Sequence, residues 1–124
     1  MHINKFRISA AATGQVRVLA QRAGLTPNLI CRMAMTASLE IGRISGASDE
    51  VAEGQEFNAY TLFGDYQPIF LDLLRLVEFG PDDVQVEDDE LLKRLRQHID
   101  RGVRQLAVRI KSPADAAELI AGSA

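Results

Sequence analysis

The sequence predicts a mainly α-helical fold with one short strand near its amino end. Apolar residues recur at three- and four-residue steps in several segments, which is the spacing of amphipathic helices. A Thr-Pro and a Ser-Pro pair each supply a capping hydroxyl followed by proline, a typical beginning of a helix. Residues 5 to 8 instead alternate between basic and apolar side chains, as a half-buried strand does.

The helices are predicted in chain order from their apolar spacing, their caps and their stop signals. The first runs from Ala10 to Ala23, where Gly24 takes the position of a helix-ending glycine. Thr26 and Pro27 begin the second, which reaches about Glu40. The later helices are predicted from Pro68 to about Phe79, from the acidic residues Glu87 to Glu90 to about Ile110, and from Ser112-Pro113 into a short tail.

The strand is predicted to place Phe6 and Ile8 on one face and Lys5 and Arg7 on the other. An isolated strand leaves its backbone groups unpaired, so it requires a partner strand. The same strand of a second subunit would supply one, which gives a ribbon-helix-helix-like dimer. The alternative is that residues 3 to 8 form a loose arm on an all-α single domain.

Two segments between the helices have distinct compositions. Residues 42 to 55 are rich in Gly, Ser, Asp and Glu and lack periodicity, which predicts an exposed loop. The next ten residues hold much of the aromatic content, and we expect them to plug the core rather than stack on bases. They are Phe57, Tyr60, Leu62, Phe63 and Tyr66.

Charge is distributed unevenly along the chain. The net charge is −3, yet residues 1 to 48 hold six basic residues against Glu40 alone, and residues 49 to 90 hold thirteen acidic residues against Arg75. Residues 91 to 124 return to a net +4, with seven basic residues against three acidic ones. A basic amino end is compatible with nucleic-acid binding despite the negative total.

The composition predicts a single domain over residues 1–124 in the cytoplasm. One cysteine excludes an internal disulfide and, without a dense Cys/His set, no structural zinc is expected. The amino end lacks the pattern of a secretory signal, and no apolar run approaches the roughly 18 residues of a membrane helix. We therefore expect no export, no membrane association, no metal and no other cofactor.

Four stretches resemble the DndE family in order and spacing. They are Arg22-Ala23-Gly24-Leu25-Thr26-Pro27-Asn28; Cys31-Arg32; Glu53-Gly54-Gln55-Glu56-Phe57-Asn58 through Thr61-Leu62-Phe63-Gly64; and His98-Ile99-Asp100-Arg101-Gly102. The Gly-Gln-Glu-Phe-Asn stretch is the most specific, because no general helix or turn rule requires it. The resemblance as a whole covers roughly residues 5 to 111.

The resemblance implies a DNA-binding homo-oligomer, a tetramer in the family, that acts in bacterial DNA phosphorothioation. In such systems partner proteins replace a non-bridging phosphate oxygen of DNA with sulfur, and this subunit is not the sulfur-transfer enzyme. The resemblance also implies affinity for nicked double-stranded DNA, although no motif of this sequence is assigned to nick recognition.

Six residues are the candidate DNA contacts. Lys5 and Arg7 would face a groove from the strand, and the turn between the first two helices offers free backbone N–H groups that favour phosphate. The members at and near that turn are Arg22, Thr26, Asn28 and Arg32. The basic residues of the last long helix rank second, because they are distributed around it: Lys93, Arg94, Arg96, Arg101 and Arg104.

No residue set predicts catalysis. Cys31 lies among apolar residues that would raise the pKa of its thiol, which argues against a persulfide carrier. His2 and His98 lack sequence partners for a triad or a metal site and are interpreted as structural. Two other functions stay open: a ribbon-helix-helix transcriptional regulator or antitoxin, and a protein scaffold whose acidic middle segment binds basic partners without touching DNA.

Overall fold

The computed structural model describes residues 4–44, 53–82 and 85–122. Most of them are helical, and two short strands form the sheet. The elements in chain order are β1 (Lys5–Arg7), α1 (Ala10–Ala23), α2 (Pro27–Ile41), β2 (Glu56–Asn58), α3 (Ala59–Phe63), α4 (Gln67–Phe79), α5 (Asp88–Arg109) and α6 (Pro113–Gly122). The mainly α prediction with an amino-terminal strand is confirmed, and the all-α alternative is wrong.

The predicted capping signals act as expected on α1 and α2. Helix α1 ends at Gly24, whose φ of 69° is left-handed and whose N–H donates to the Ala20 carbonyl. The Thr26 side chain then accepts a hydrogen bond from the N–H of Leu29, with Pro27 at the first helical position. The boundaries of these two helices therefore follow from local sequence.

The core lies where α2 packs along α5, and α1 and α4 also pack against α5. Gly102 stands at the α2–α5 crossing, because a Cβ added there would lie 2.7 Å from the Cα of Ala34 and closer still to its carbonyl group. The absence of a side chain lets the two backbones approach each other. Buried leucine, isoleucine and valine side chains of α5 fill the space on either side of this contact.

The partner of β1 is a strand of the same chain. β1 pairs antiparallel with β2, with Phe6 opposite Phe57 and Arg7 opposite Glu56. The expectation that a second subunit supplies the partner strand is therefore wrong. The outer edge of β1 is also occupied, since Arg96 Nε donates to the Arg7 carbonyl at 2.9 Å. Alternation along the strand is as predicted, with Phe6 buried and Arg7 exposed.

Gly54 and the aromatic residues after it fix this small sheet to the core. A Cβ on Gly54 would lie 2.7 Å from the Ile8 carbonyl oxygen and closer to Ser9 and Thr13, so only glycine fits. The Phe6 and Phe57 rings stack with centroids 6.1 Å apart. The predicted core role holds for Phe57, Leu62 and Phe63, which are buried.

The core prediction is wrong for the two tyrosines of this segment. Tyr60 is 67% exposed and Tyr66 is 60% exposed. Their hydroxyl groups need no buried partner at these positions, and their rings add apolar surface to the outside of the protein. Sequence analysis also missed β2 and α3, which are too short for periodicity to reveal.

Not every predicted segment lies within the described residues. Residues 45 to 52 of the predicted loop, together with His2 and Asp83, lie outside the described residues. Within the described ranges, no helix combines the length and the hydropathy needed to cross a membrane.

Candidate nucleic-acid interface

Lys5 and Arg7 lie on the solvent-exposed face of the sheet. The Arg7 guanidinium donates from Nη1 to the Gly54 carbonyl at 3.0 Å, and Arg96 reaches the Arg7 backbone from α5. This strand cluster therefore contains three cationic side chains, Lys5, Arg7 and Arg96. Glu56, opposite Arg7, is the acidic residue paired with it in register.

The second group of candidates lies at the turn between α1 and α2. Arg22 is exposed in the last turn of α1, where a cation is favoured by the helix dipole. At the start of α2, Pro27 has no N–H, Thr26 Oγ1 caps Leu29, and the N–H of Ile30 donates to the Thr26 carbonyl. The backbone N–H of Asn28 can therefore donate to an external acceptor such as phosphate.

These two clusters lie at opposite ends of α1. The helix has 14 residues, which at 1.5 Å per residue is about 21 Å. A single phosphate cannot contact both clusters, whereas a stretch of duplex backbone can. The sequence grouped these residues as one candidate site, and the structure divides them into two.

Arg32 belongs to neither cluster. Its Nε donates to the Leu62 carbonyl and its Nη2 to the Thr61 carbonyl, which ties α2 to the end of α3. The guanidinium therefore satisfies carbonyl groups at a helix end, a structural use of an arginine. This contact joins two of the stretches that resemble the family, Cys31-Arg32 and Thr61-Leu62-Phe63-Gly64.

Two of the basic residues on α5 are similarly engaged inside the protein. Arg94 bonds Glu78 and Glu90, both at 3.0 Å. Arg101 donates to the Ser38 hydroxyl at 2.8 Å, and to the backbone carbonyls of Ser38 and Gly42 at the end of α2. Lys93 and Arg104 remain exposed, with Arg96 beside β1.

A buried polar network links α2, α4 and α5, and sequence analysis did not find it. Ser38 Oγ lies 2.8 Å from His98 Nδ1, and His98 Nε2 lies 2.8 Å from Glu78 Oε2. Glu78 Oε2 also accepts from the N–H of Ile44 at 2.9 Å. The spacing of these residues along the chain gives no local signal, because each comes from a different element.

With a neutral His98 imidazole, the network has one consistent arrangement of protons. Burial lowers the pKa of His98. This effect is larger than the opposing effect of the Glu78 carboxylate, so the neutral imidazole is favoured. Because the carboxylate only accepts, His98 Nε2 carries the proton and Nδ1 accepts from the Ser38 hydroxyl. The Ser38 oxygen in turn accepts from Arg101 Nε.

The order serine, histidine, carboxylate is that of a nucleophilic triad, but this one is closed. Ser38 and His98 are 0% exposed and Glu78 is 2% exposed. The Ser38 oxygen is also occupied by Arg101, so no substrate carbonyl or phosphate can reach it. The network instead holds α2, α4 and α5 together and binds the chain from Gly42 to Ile44 to them.

Cys31 is equally inaccessible. Its side chain is 0% exposed, and burial raises the pKa of the thiol to about 12. The reactive thiolate is therefore scarce at neutral pH. In the described parts of the chain, no group of three or more His, Cys, Asp or Glu side chains converges as metal ligands would.

Comparison with known proteins agrees with the sequence resemblance. The family model described as "DNA sulphur modification protein DndE" matches residues 5–114. This chain belongs to the DndE family. A search of curated proteins found no match.

Two crystal structures share the fold of this DndE-family protein. DndE from Escherichia coli B7A, involved in DNA phosphorothioation modification, has a TM-score of 0.73 and 24% identity, with 86% of this chain and 98% of that chain covered. A glycine-to-lysine double mutant of DndE has a TM-score of 0.66 and 22% identity, with 85% and 97% covered.

The structure explains several residues that carry the family pattern as packing residues. Gly54 and Gly102 are sites where backbones meet, and Arg32, His98 and Arg101 bind other elements of the same chain. The exposed candidates Lys5 and Arg7 lie outside the four stretches. Exposure and charge, rather than the family pattern alone, therefore indicate where DNA could bind.

Proposed function

We propose that this DndE-family protein is a non-catalytic subunit that binds double-stranded DNA within a bacterial phosphorothioation system. Membership in a family of DNA sulphur modification proteins supports the setting. The exposed cations at both ends of α1 support DNA as the ligand, because they offer charge to phosphates without an ion pair among the described residues. We expect it to act in the cytoplasm, where bacterial DNA lies.

The non-catalytic role is supported by the burial of the best nucleophiles. Cys31 and the Ser38 hydroxyl are both 0% exposed. A sulfur carrier needs an accessible thiolate, and a hydrolase needs a serine that meets its substrate. We propose that sulfur chemistry is carried out by partner proteins of the system and that this subunit contributes DNA contacts.

Electrophoretic mobility shifts with random intact duplex, the same duplex carrying one nick, and a range of salt concentrations test this function. Counterion release predicts that log affinity falls linearly with log salt, with a slope of about 0.9 per phosphate contact. Preference for the nicked duplex at equal length and sequence is the outcome expected from the family. A thousandfold preference for one sequence would favour a regulator instead, and no shift at moderate salt would favour a scaffold.

We further propose that the protein is a homo-oligomer, a tetramer by analogy with the family. Four large apolar side chains are 44% to 60% exposed at heptad spacing, one at the residue before α4 and three along the helix: Tyr66, Ile69, Leu73 and Leu76. Large apolar side chains grouped on an exposed helix face often mark interaction sites. The seam can pair with itself in a second copy, as symmetric subunit interfaces do.

Light scattering on the native protein and on Leu73→Glu tests the association. The wild-type protein should be larger than a 13.6 kDa monomer, and the substitution should reduce its mass without loss of helix content. A wild-type monomer at micromolar concentration would contradict the homo-oligomer.

A further inference from the structure

The outward face of α1 connects the two clusters of candidate DNA contacts. The exposed residues of this helix carry no acidic group and include two arginines: Ala10, Ala11, Gly14, Arg17, Val18, Gln21 and Arg22. Lys5 and Arg7 lie just before its first turn, and Asn28 lies just beyond its last. Arg17 stands midway between them, and sequence analysis did not select it.

Acidic residues near this helix are few or directed elsewhere. From position 4 to position 39 the chain contains none. Asp100 of α5 is 6% exposed and accepts a hydrogen bond from Ser9, the capping residue of α1. Asp115 and Glu118 of α6 line a groove together with residues of α2. The exposed acids Glu53 and Glu56 are confined to the sheet end, beside Arg7.

The shape of the face also suits close approach by a polymer backbone. Ala10, Ala11 and Gly14 have the smallest side chains, and a Cβ added to Gly14 would meet nothing within 4 Å. The exposed face therefore carries only small side chains in the first half of the helix, and the long side chains of Arg17 and Arg22 lie in the second half. A glycine in the interior of a helix costs stability, and no close contact inside the protein requires a glycine at position 14.

We propose that α1 lies along the phosphodiester backbone of a DNA duplex, with Arg17 joining the strand cluster to the turn cluster. This inference rests on the proposed DNA-binding function. A helix of about 21 Å matches about six base pairs at 3.4 Å per base pair. Contacts to phosphates fix orientation without reading sequence, as a protein that binds duplexes of many sequences requires.

The test compares Arg17→Glu with Arg75→Glu by mobility shift on one nicked duplex and one intact duplex. Both substitutions change the charge equally, but Arg75 is on α4, where its ion-pair partner is Asp72 of the same helix. Light scattering on both variants checks that the oligomeric state is unchanged. Loss of one phosphate contact at 0.1 M salt corresponds to about an eightfold loss of affinity and a slope lower by about one unit. We expect that loss for Arg17→Glu, and less than a twofold change for Arg75→Glu.

A second pair of variants avoids the removal of any native side-chain contact. Gly14→Ala and Gly14→Glu enter open space on the same helix turn, so neither should lower the melting temperature. Gly14→Glu should weaken DNA binding severalfold more than Gly14→Ala does, because the added carboxylate repels phosphate. This pair separates the effect of charge from the effect of helix stability.

The possible results distinguish the inference from the function on which it rests. Selective weakening by Arg17→Glu and Gly14→Glu supports the α1 surface. Strong binding by the wild-type protein with no selective effect of either variant overturns the α1 surface and leaves DNA binding intact. No binding of either duplex by the wild-type protein overturns the DNA-binding function and the α1 surface together.

Discussion

Gly102→Ala should strongly destabilise this protein, because Gly102 lies where α5 crosses α2. The new Cβ would be 2.7 Å from Ala34 Cα and closer to the Ala34 carbonyl. Ordinary contacts between such atoms exceed about 3.4 Å, and the neighbour here is helix backbone rather than a flexible side chain. The helices must therefore move apart and loosen the packing of Val103 and Leu106.

The magnitude follows from two opposing contributions. Overpacking of a tight interior costs about 1–3 kcal/mol or more, and a clash with backbone belongs at the upper end. Alanine in place of glycine in a helix returns up to about 1 kcal/mol. We therefore expect a net loss of about 2–3 kcal/mol. Gly14→Ala is the matched control, because it gains the same propensity in open space and should stabilise by about 0.5–1 kcal/mol.

Urea unfolding followed by far-ultraviolet circular dichroism measures both changes. The midpoints of the two variants should move in opposite directions from that of the wild-type protein, and they should differ from each other by at least about 0.8 M for an m value of about 1–3 kcal/mol/M. All three proteins must be compared at one concentration, since association couples stability to concentration. Similar shifts of the same sign would refute the close approach of α5 to α2.

Three further predictions concern the buried network, the thiol and the strand cluster. Since burial lowers the pKa of His98, the unfolded state takes up the proton first as pH falls. Stability should therefore decline below about pH 6.5, by up to about 1.4 kcal/mol per pH unit, and urea midpoints for His98→Gln should lack this component. Native Cys31 should resist iodoacetamide until unfolded, and Cys31→Ser should leave DNA phosphorothioation in cells largely intact, measured as sulfur in the DNA. Lys5→Glu with Arg7→Glu should weaken duplex binding and lower the salt slope by about two units, without change in helix content or oligomeric state.

Each of these expectations can fail independently. Parallel pH profiles for the wild-type protein and His98→Gln would show that the histidine does not contribute to acid sensitivity. Rapid alkylation of the native thiol, or loss of sulfur from DNA in cells with folded Cys31→Ser, would contradict its structural role. Unchanged affinity and slope for the double reversal would remove the strand cluster from the DNA surface and leave Arg22 as the next residue to test.

Local sequence determined most of the helical fold. The cap at Thr26, the proline after it and the left-handed glycine at position 24 each act within a few residues, so their positions are readable without tertiary information. The same holds for the long apolar stripe of α5, whose period repeats over 22 residues. Exposure of Lys5 and Arg7 also followed from simple alternation along the strand.

Tertiary structure alone decided which residues meet. The partner of β1 is about fifty residues away in sequence, and a three-residue strand has too little pattern to reveal that pairing. Ser38, Glu78 and His98 converge from three helices, and Arg32 is directed to the end of α3. The length of α1 separates the predicted DNA contacts into two clusters. Periodicity specifies which face of a helix is buried, but the neighbour of each side chain depends on how separate elements pack in space.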